Sequence, residues 1–217
     1  ASGDALFLAG AGGTSLDVAA SALTATMAQF SLGSEQATRI TDVFASATAR
    51  SQFEVADLAE AMKYGGVVGA GFGWSLEQTV ATLSLFRDAG LKGTLAGTAL
   101  RAALVGATTA SSVNVEAMAK YGLTLEQINP QTHDFAQILR TVGEAGMSTA
   151  DIIKVFGAES GAVVATLASQ AVDGSTKYQD MLGDLETSTG AASAMYQQMN
   201  ATVTGGLAEL LSASEEF

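Results

Sequence analysis

The side chains able to do chemistry are few, and their spacing argues against catalysis. His133 is the single histidine and the chain has no cysteine. Disulfides and thiolate metal sites are therefore excluded. A metal would need carboxylates alone, and no Asp/Glu cluster has the spacing of a calcium loop. A Ser-His-Asp arrangement could draw on His133 and the many serines, but there is no Gly-x-Ser-x-Gly elbow. His133 precedes Asp134 at a predicted helix start, where solvation or capping is the ordinary role. Paired carboxylates could cleave a glycoside. The candidates Glu77, Glu126, Glu144 and Glu159 lie at or near predicted helix ends, where a solvated or dipole-related role is the simpler reading. Gly69-Ala-Gly-Phe-Gly73 lacks the G-x-G-x-x-G spacing and follows no strand pattern, so it is not a phosphate cradle. No catalytic, cofactor-binding or metal-binding residue is assigned, and no cofactor is expected.

Charge narrows the partners. Twenty-two acidic residues against 10 basic ones give a formal charge of −12. That opposes direct nucleic-acid binding, which needs cations to displace counterions from phosphate, and adhesion to an anionic bilayer. Leu6-Phe7-Leu8-Ala9 is too short and lacks the basic flank of a targeting signal. No uncharged stretch reaches the ~20 apolar residues of a bilayer span. The chain lacks an initiator Met and stops inside a helical pattern. It is expected to be a piece of a longer protein, with Ala1-Ser2 and Glu216-Phe217 as cloning residues.

The elements that hold these residues are expected to be helices. Hydrophobic residues make up 48% of the chain, aromatics only 6%, and there is one proline. An Ala-rich apolar set of this kind favours helices that approach closely. The 24 glycines cluster between apolar stretches and read as helix terminators. Apolar periodicity places helices over 15–30, 34–49, from 54 to a loosened end at Gly65-Gly66, 75–88, 94–108, 115–121, 134–143, 149–156, 160–170, 177–185 and 191–212. Ser75-Leu-Glu-Gln78 has capping-box spacing, Asn114 reads as a cap, and 123–132, with Pro130, as irregular chain or a tiny hairpin. Tyr196, Met199, Val203, Leu207 and Leu210 fall in register on the last helix. Trp74, just before the capping box, reads as a core anchor or staple. Arg101, on an Ala/Leu helix, should snorkel, bond carbonyls or meet an acidic neighbour. Gly69/Gly73, Gly93/Gly97 and Gly157/Gly161 have the small-xxx-small spacing of close helix packing. Glu60-Ala-Met-Lys-Tyr-Gly65 and Glu116-Ala-Met-Ala-Lys-Tyr-Gly122 echo each other, as two similar helix ends. The expected fold is all-α: a compact multi-helix bundle of about ten mostly short helices with Gly-rich breaks and a long C-terminal helix. Its parts are a flexible N-terminal segment or cloning residues over 1–14, a core helical domain over 15–189, and a long, truncated exit helix over 190–217.

The order of these motifs carries a resemblance. Ala56-Asp-Leu-Ala-Glu-Ala-Met-Lys-Tyr-Gly65 is followed by Trp74-Ser-Leu-Glu-Gln-Thr79, Asp88-Ala-Gly-Leu-Lys-Gly93 and Ala96-Gly-Thr-Ala-Leu-Arg101. Lys120-Tyr-Gly-Leu123, Lys154-Val-Phe-Gly-Ala158 and Gly190-Ala-Ala-Ser-Ala-Met195 complete the series. Over roughly residues 15–212 this resembles the core region of phage tail tape-measure proteins of the TP901 type. The positions it marks are Lys63, Tyr64, Gly65, Trp74, Gly90, Lys92, Gly93, Gly97, Thr98, Leu100, Arg101, Phe156 and Gly157. The resemblance implies a non-enzymatic role in tail assembly and tail-length determination inside the tail tube, and participation in genome delivery. It also implies a location in the virion tail lumen, and in the host cytoplasm during assembly. Implied partners are tail-tube, tail-tip or baseplate and tail-assembly chaperone proteins, further copies of the chain in the tail, and a membrane during ejection. Because glycine breaks recur and heptads are missing, this stretch is expected to be a compact module with any rod outside it. A helical membrane-active effector is the second reading, and a cell-wall hydrolase the third.

Overall fold

The structure, a computed structural model, describes residues 2–202, and within them every regular element is a helix. In chain order they are α1 (Ser2–Ala11), α2 (Leu16–Gln29), α3 (Ala37–Arg50), α4 (Val55–Gly71), α5 (Leu76–Asp88), α6 (Gly93–Thr108), α7 (Ser112–Ala119), α8 (Phe135–Glu144), α9 (Thr149–Phe156), α10 (Gly161–Val172) and α11 (Lys177–Glu186). A twelfth, α12, covers 191–202. The remainder of the expected exit helix, with Val203, Leu207 and Leu210, lies outside the described residues. Short 3₁₀ turns at Ser34–Gln36 and Leu125–Ile128 complete the set.

Helix α5 is the axis of the body. Eleven of its 13 residues are buried, including Thr79, Thr82 and Ser84, and α3, α4, α6 and α11 surround it. Its buried threonines are satisfied within the helix. Thr79 Oγ1 donates to the Ser75 carbonyl and Thr82 Oγ1 to that of Gln78, each at 2.9 Å. Its start is fixed by a reciprocal capping box between Ser75 and Gln78. Leu83, Phe86, Leu100, Leu104, Phe44 and Phe135 are fully buried around it.

Several expectations need correction. Residues 2–11 form a helix where a flexible segment was expected. Leu8 is fully buried, and Thr38 Oγ1 donates to Asp4 Oδ1 at 2.7 Å, tying α1 to α3. Helix α4 does not loosen at Gly65-Gly66; it runs on to Gly71. These glycines are contact surfaces. A Cβ on Gly65 would lie 3.1 Å from both Leu83 and Leu100 side chains, and one on Gly69 would lie 2.4 Å from Thr79 Oγ1. Asn114 does not cap α7; Ser111 does. The Asn114 amide donates instead to the carbonyls of Gly106 and Thr109, closing the end of α6. Helix α2 ends at Gln29 with Phe30 as its C-cap, and Ser31 beyond it takes φ 53°. The three small-xxx-small pairs each divide their labour. Gly69, Gly97 and Gly161 touch a neighbouring helix, while Gly73, Gly93 and Gly157 adopt positive φ at helix boundaries.

Candidate functional site

The marked positions lie mainly on α6 and on two helices that pack against it, α4 and α9. On α4, Lys63 and Tyr64 are exposed, with Lys63 ion-paired to Glu60, and Gly65 is buried. Gly90 ends α5 at φ 101°, the exposed Lys92 sits at the N-terminal boundary of α6, and Gly93 follows against Asp57 and Glu60. Gly97 allows the closest approach of the crossing: a Cβ there would stand 2.2 Å from the Ala61 carbonyl oxygen. Thr98 Oγ1 donates to the Thr94 carbonyl at 2.9 Å, Leu100 is fully buried, and Arg101 is exposed. Phe156 is buried, and Gly157 leaves α9 at φ 87° with Ala102 beside it. Trp74 lies elsewhere. It is buried, its Nε1 donates to the Pro130 carbonyl at 2.7 Å, and its ring meets Phe135 edge-on at 6.2 Å. It is the anchor beside the cap that the sequence pattern predicts.

The densest polar cluster centres on a residue that sequence reading did not mark, the buried Asp151 of α9. Lys154 Nζ is 2.7 Å and Lys120 Nζ 3.0 Å from its Oδ1. Tyr121 Oη and Ser148 Oγ donate to its Oδ2 at 3.0 and 3.1 Å. Ser148 also caps α9, accepting from the Asp151 N–H. The bonds from Lys154, then Lys120 and Tyr121, hold the Asp151 carboxyl well below the usual carboxylate range, and its bond to Lys120 raises that ammonium. The Lys120-Tyr121 and Lys154 motifs, 34 residues apart in the numbering, thus converge on one carboxylate. The signal was the Ser148-x-x-Asp151 spacing at a helix start together with the lysine-tyrosine pair. In the echo on α4, Lys63 and Tyr64 remain at the surface.

Two further carboxylates are buried and structural. Glu77 takes Arg39 in a two-pronged pair, Nε to Oε1 and Nη2 to Oε2, both 2.8 Å. The expectation of a solvated Glu77 is therefore corrected, although it remains in the first turn of α5. Asp42 of α3 accepts from the N–H groups of Gly190 at 2.8 Å and Ala192 at 3.0 Å, capping α12 from another helix. Sequence spacing carries no signal for a cap supplied from 148 residues away. Glu126, Glu144 and Glu159 are exposed, and His133 Nδ1 lies 2.9 Å from Thr132 Oγ1. Among the described residues, no group of three or more His, Cys, Asp or Glu could hold a metal ion. Burial pushes the Tyr178 phenol up, beside Phe135.

Beside the Asp151 cluster runs a groove of about 460 Å³ between α6 and α9, lined by Thr98, Arg101, Ala102, Val105, Lys154 and Glu159 among others. Its geometry follows from Gly106, whose Cβ, if present, would stand 2.2 Å from the Val155 carbonyl oxygen. Within it Lys154 is ion-paired to Asp151, and Arg101 is exposed.

Comparison with known proteins gives two findings. A family model described as phage-related minor tail protein matches residues 1–144. A tape measure protein of Pneumococcus phage Dp-1 is 32% identical over 209 residues, which is 92% of this chain and 18% of that protein. The chain thus spans about a fifth of the length of that relative. No solved structure matches.

Proposed function

The chain belongs to the phage-related minor tail protein family, and we propose that it is a compact, non-enzymatic module of a tail tape-measure protein, acting in tail assembly. In this reading the core body over 15–189 is a docking and folding unit. Tail-length determination, a place in the tail lumen after assembly in the host cytoplasm, and participation in genome delivery belong to the longer protein that carries it. Its partners are tail-tube, tail-tip or baseplate and chaperone proteins and further copies of itself. This segment does not itself bind nucleic acid, and its marked positions serve packing and docking.

One observation carries the module reading: the body is built of short helices packed around α5. The longest described helix, α4, has 17 residues and so spans about 26 Å at ~1.5 Å per residue. A ruler needs length, and this segment is folded back on itself. The decisive experiment is an in-frame deletion of 15–189 in the full-length gene, read by electron microscopy of particles. The expected result is loss of assembled tails. Infectious particles with tails shortened only in proportion to the deleted residues would instead make the segment part of the rod.

A second reading, membrane contact, has one feature in its favour. No single helix among the described residues is long and apolar enough to cross a membrane. However, Gly3–Ala11 and Leu16–Gln29 meet that test together across a bend of 119°, and Leu6, Phe7 and Leu16 are exposed. Dye leakage from vesicles, abolished by Phe7→Glu, would favour it.

A further inference from the structure

The groove between α6 and α9 has a chemistry of its own. Val105 is 46% exposed at its edge, an apolar side chain offered to solvent. Two cations, Arg101 and Lys154, line the groove against one carboxylate, Glu159. Lys154 shares the buried Asp151 with Lys120, so that two ammonium groups face a single carboxylate. Arg101 has no hydrogen-bond or ion-pair partner among the described residues. The groove is thus locally cationic on a chain whose net charge is −12. It also joins two of the motif stretches, the one ending at Arg101 and the one running from Lys154 to Ala158.

We propose that this groove docks an acidic segment of a partner protein, with carboxylates meeting Arg101 and Lys154 and an apolar side chain covering Ala102 and Val105. The occupant follows from charge. A planar guanidinium held without a partner beside an apolar floor fits a carboxylate in two-pronged fashion. A second copy of this chain would bring a body of the same strongly negative charge toward the first. A short acidic segment meets the local cations without that repulsion. Binding at the groove edge would tighten as salt falls, since the charges lie near the surface.

The inference rests on the tail reading, and one experiment separates the two. Val105→p-benzoylphenylalanine is introduced into the full-length protein, and purified particles are irradiated and digested. The expected product joins position 105 to one segment of a different tail protein, bearing at least two Asp or Glu beside an apolar residue. Arg101→Glu should cut the yield about tenfold, as loss of one charge-assisted contact would, while Arg101→Lys should retain most of it. Arg101 is exposed, and thermal melts of both variants should match the parent. Four results would overturn the proposal: a crosslink to a segment without carboxylates, to a second copy, or to another part of the same polypeptide, or a yield indifferent to Arg101→Glu. Particles in which the chain is absent altogether would remove the tail reading, and the groove assignment with it.

Discussion

Two glycine-to-alanine substitutions, made in helices of the same body, should move stability in opposite directions. At Gly97 in α6 an added Cβ would stand 2.2 Å from the Ala61 carbonyl oxygen and 3.0 Å from its carbonyl carbon. These are backbone atoms of α4, which cannot rotate away. Normal contact would require the two helices to part by about 1 Å, and on a dispersion potential a gap of that size forfeits up to about half of each neighbouring contact. Overpacking of this kind costs about 3 kcal/mol. The gain from replacing glycine in a helix interior is about 1 kcal/mol. Gly97→Ala should therefore lose about 2 kcal/mol, a fall in Tm of roughly 4–8 °C for a chain of this size. Gly183 sits inside α11 with nothing within 4 Å of its would-be Cβ. There only the helix term operates, and Gly183→Ala should gain about 0.5–1 kcal/mol. Urea denaturation followed by far-ultraviolet circular dichroism measures both. Equal signs for the two variants, or a neutral Gly97→Ala, would refute the assignment of Gly97 as a backbone contact.

Other perturbations test the remaining contacts. Asp151→Asn should lower the urea midpoint at neutral pH by leaving Lys120, Lys154 and Tyr121 without their shared acceptor. Because the folded carboxyl is held below its ordinary value, its contribution is present above about pH 4, the unfolded value, and fades as pH falls below that. The gap between the variant and the parent should narrow on acidification, and a gap independent of pH would count against the cluster. Asp42→Ala removes the cap on α12 and should cost about 1–2 kcal/mol, with faster amide exchange over 190–195 seen by mass spectrometry. Arg39→Met leaves the buried Glu77 unpaired. Since Arg39 is half exposed, the cost should be about 1–3 kcal/mol, and the Arg39→Met/Glu77→Met double variant should recover part of it. Trp74→Phe orphans the buried Pro130 carbonyl, for about 1–3 kcal/mol.

Local signals were the legible ones. Capping at Ser75, Asp134 and Ser148, and the stops at Gly90 and Gly157, follow from bonds made within a few residues, and those helix ends lie where the pattern predicts. The burial of Phe135, Ile138, Leu139 and Val142 follows from their 3.6-residue spacing. What failed was any inference in which glycine had two physical uses. In the sequence, Gly65-Gly66 and Gly122 look alike. The first pair lies inside a helix because neighbouring side chains press against it, and the second ends one at φ 69°. Only the neighbour distinguishes them, and the neighbour is remote in sequence. The same holds for Glu77 of α5, expected in a solvated or dipole-related role at a helix end but buried against Arg39, 38 residues away.

The candidate site divides along the same line. Its parts were named from motif order, yet the residue that joins two of them, Asp151, carried no mark. A capping aspartate on a helix start is ordinarily a local feature, worth one helix end. Here it is buried, and Lys154 of its own helix and Lys120 and Tyr121 from the end of α7 reach it, so its removal should loosen α7 from α9 as well as fray α9. That coupling bears on the groove. Lys154 is held by Asp151 on one side and lines the docking surface on the other, so a carboxylate arriving from a partner competes for the same ammonium. If the groove binds an acidic segment, Asp151→Asn should strengthen that binding in particles while weakening the fold, because it frees Lys154 to meet the incoming charge. A structural cluster that had no link to the groove would lose stability and leave partner crosslinking at position 105 unchanged.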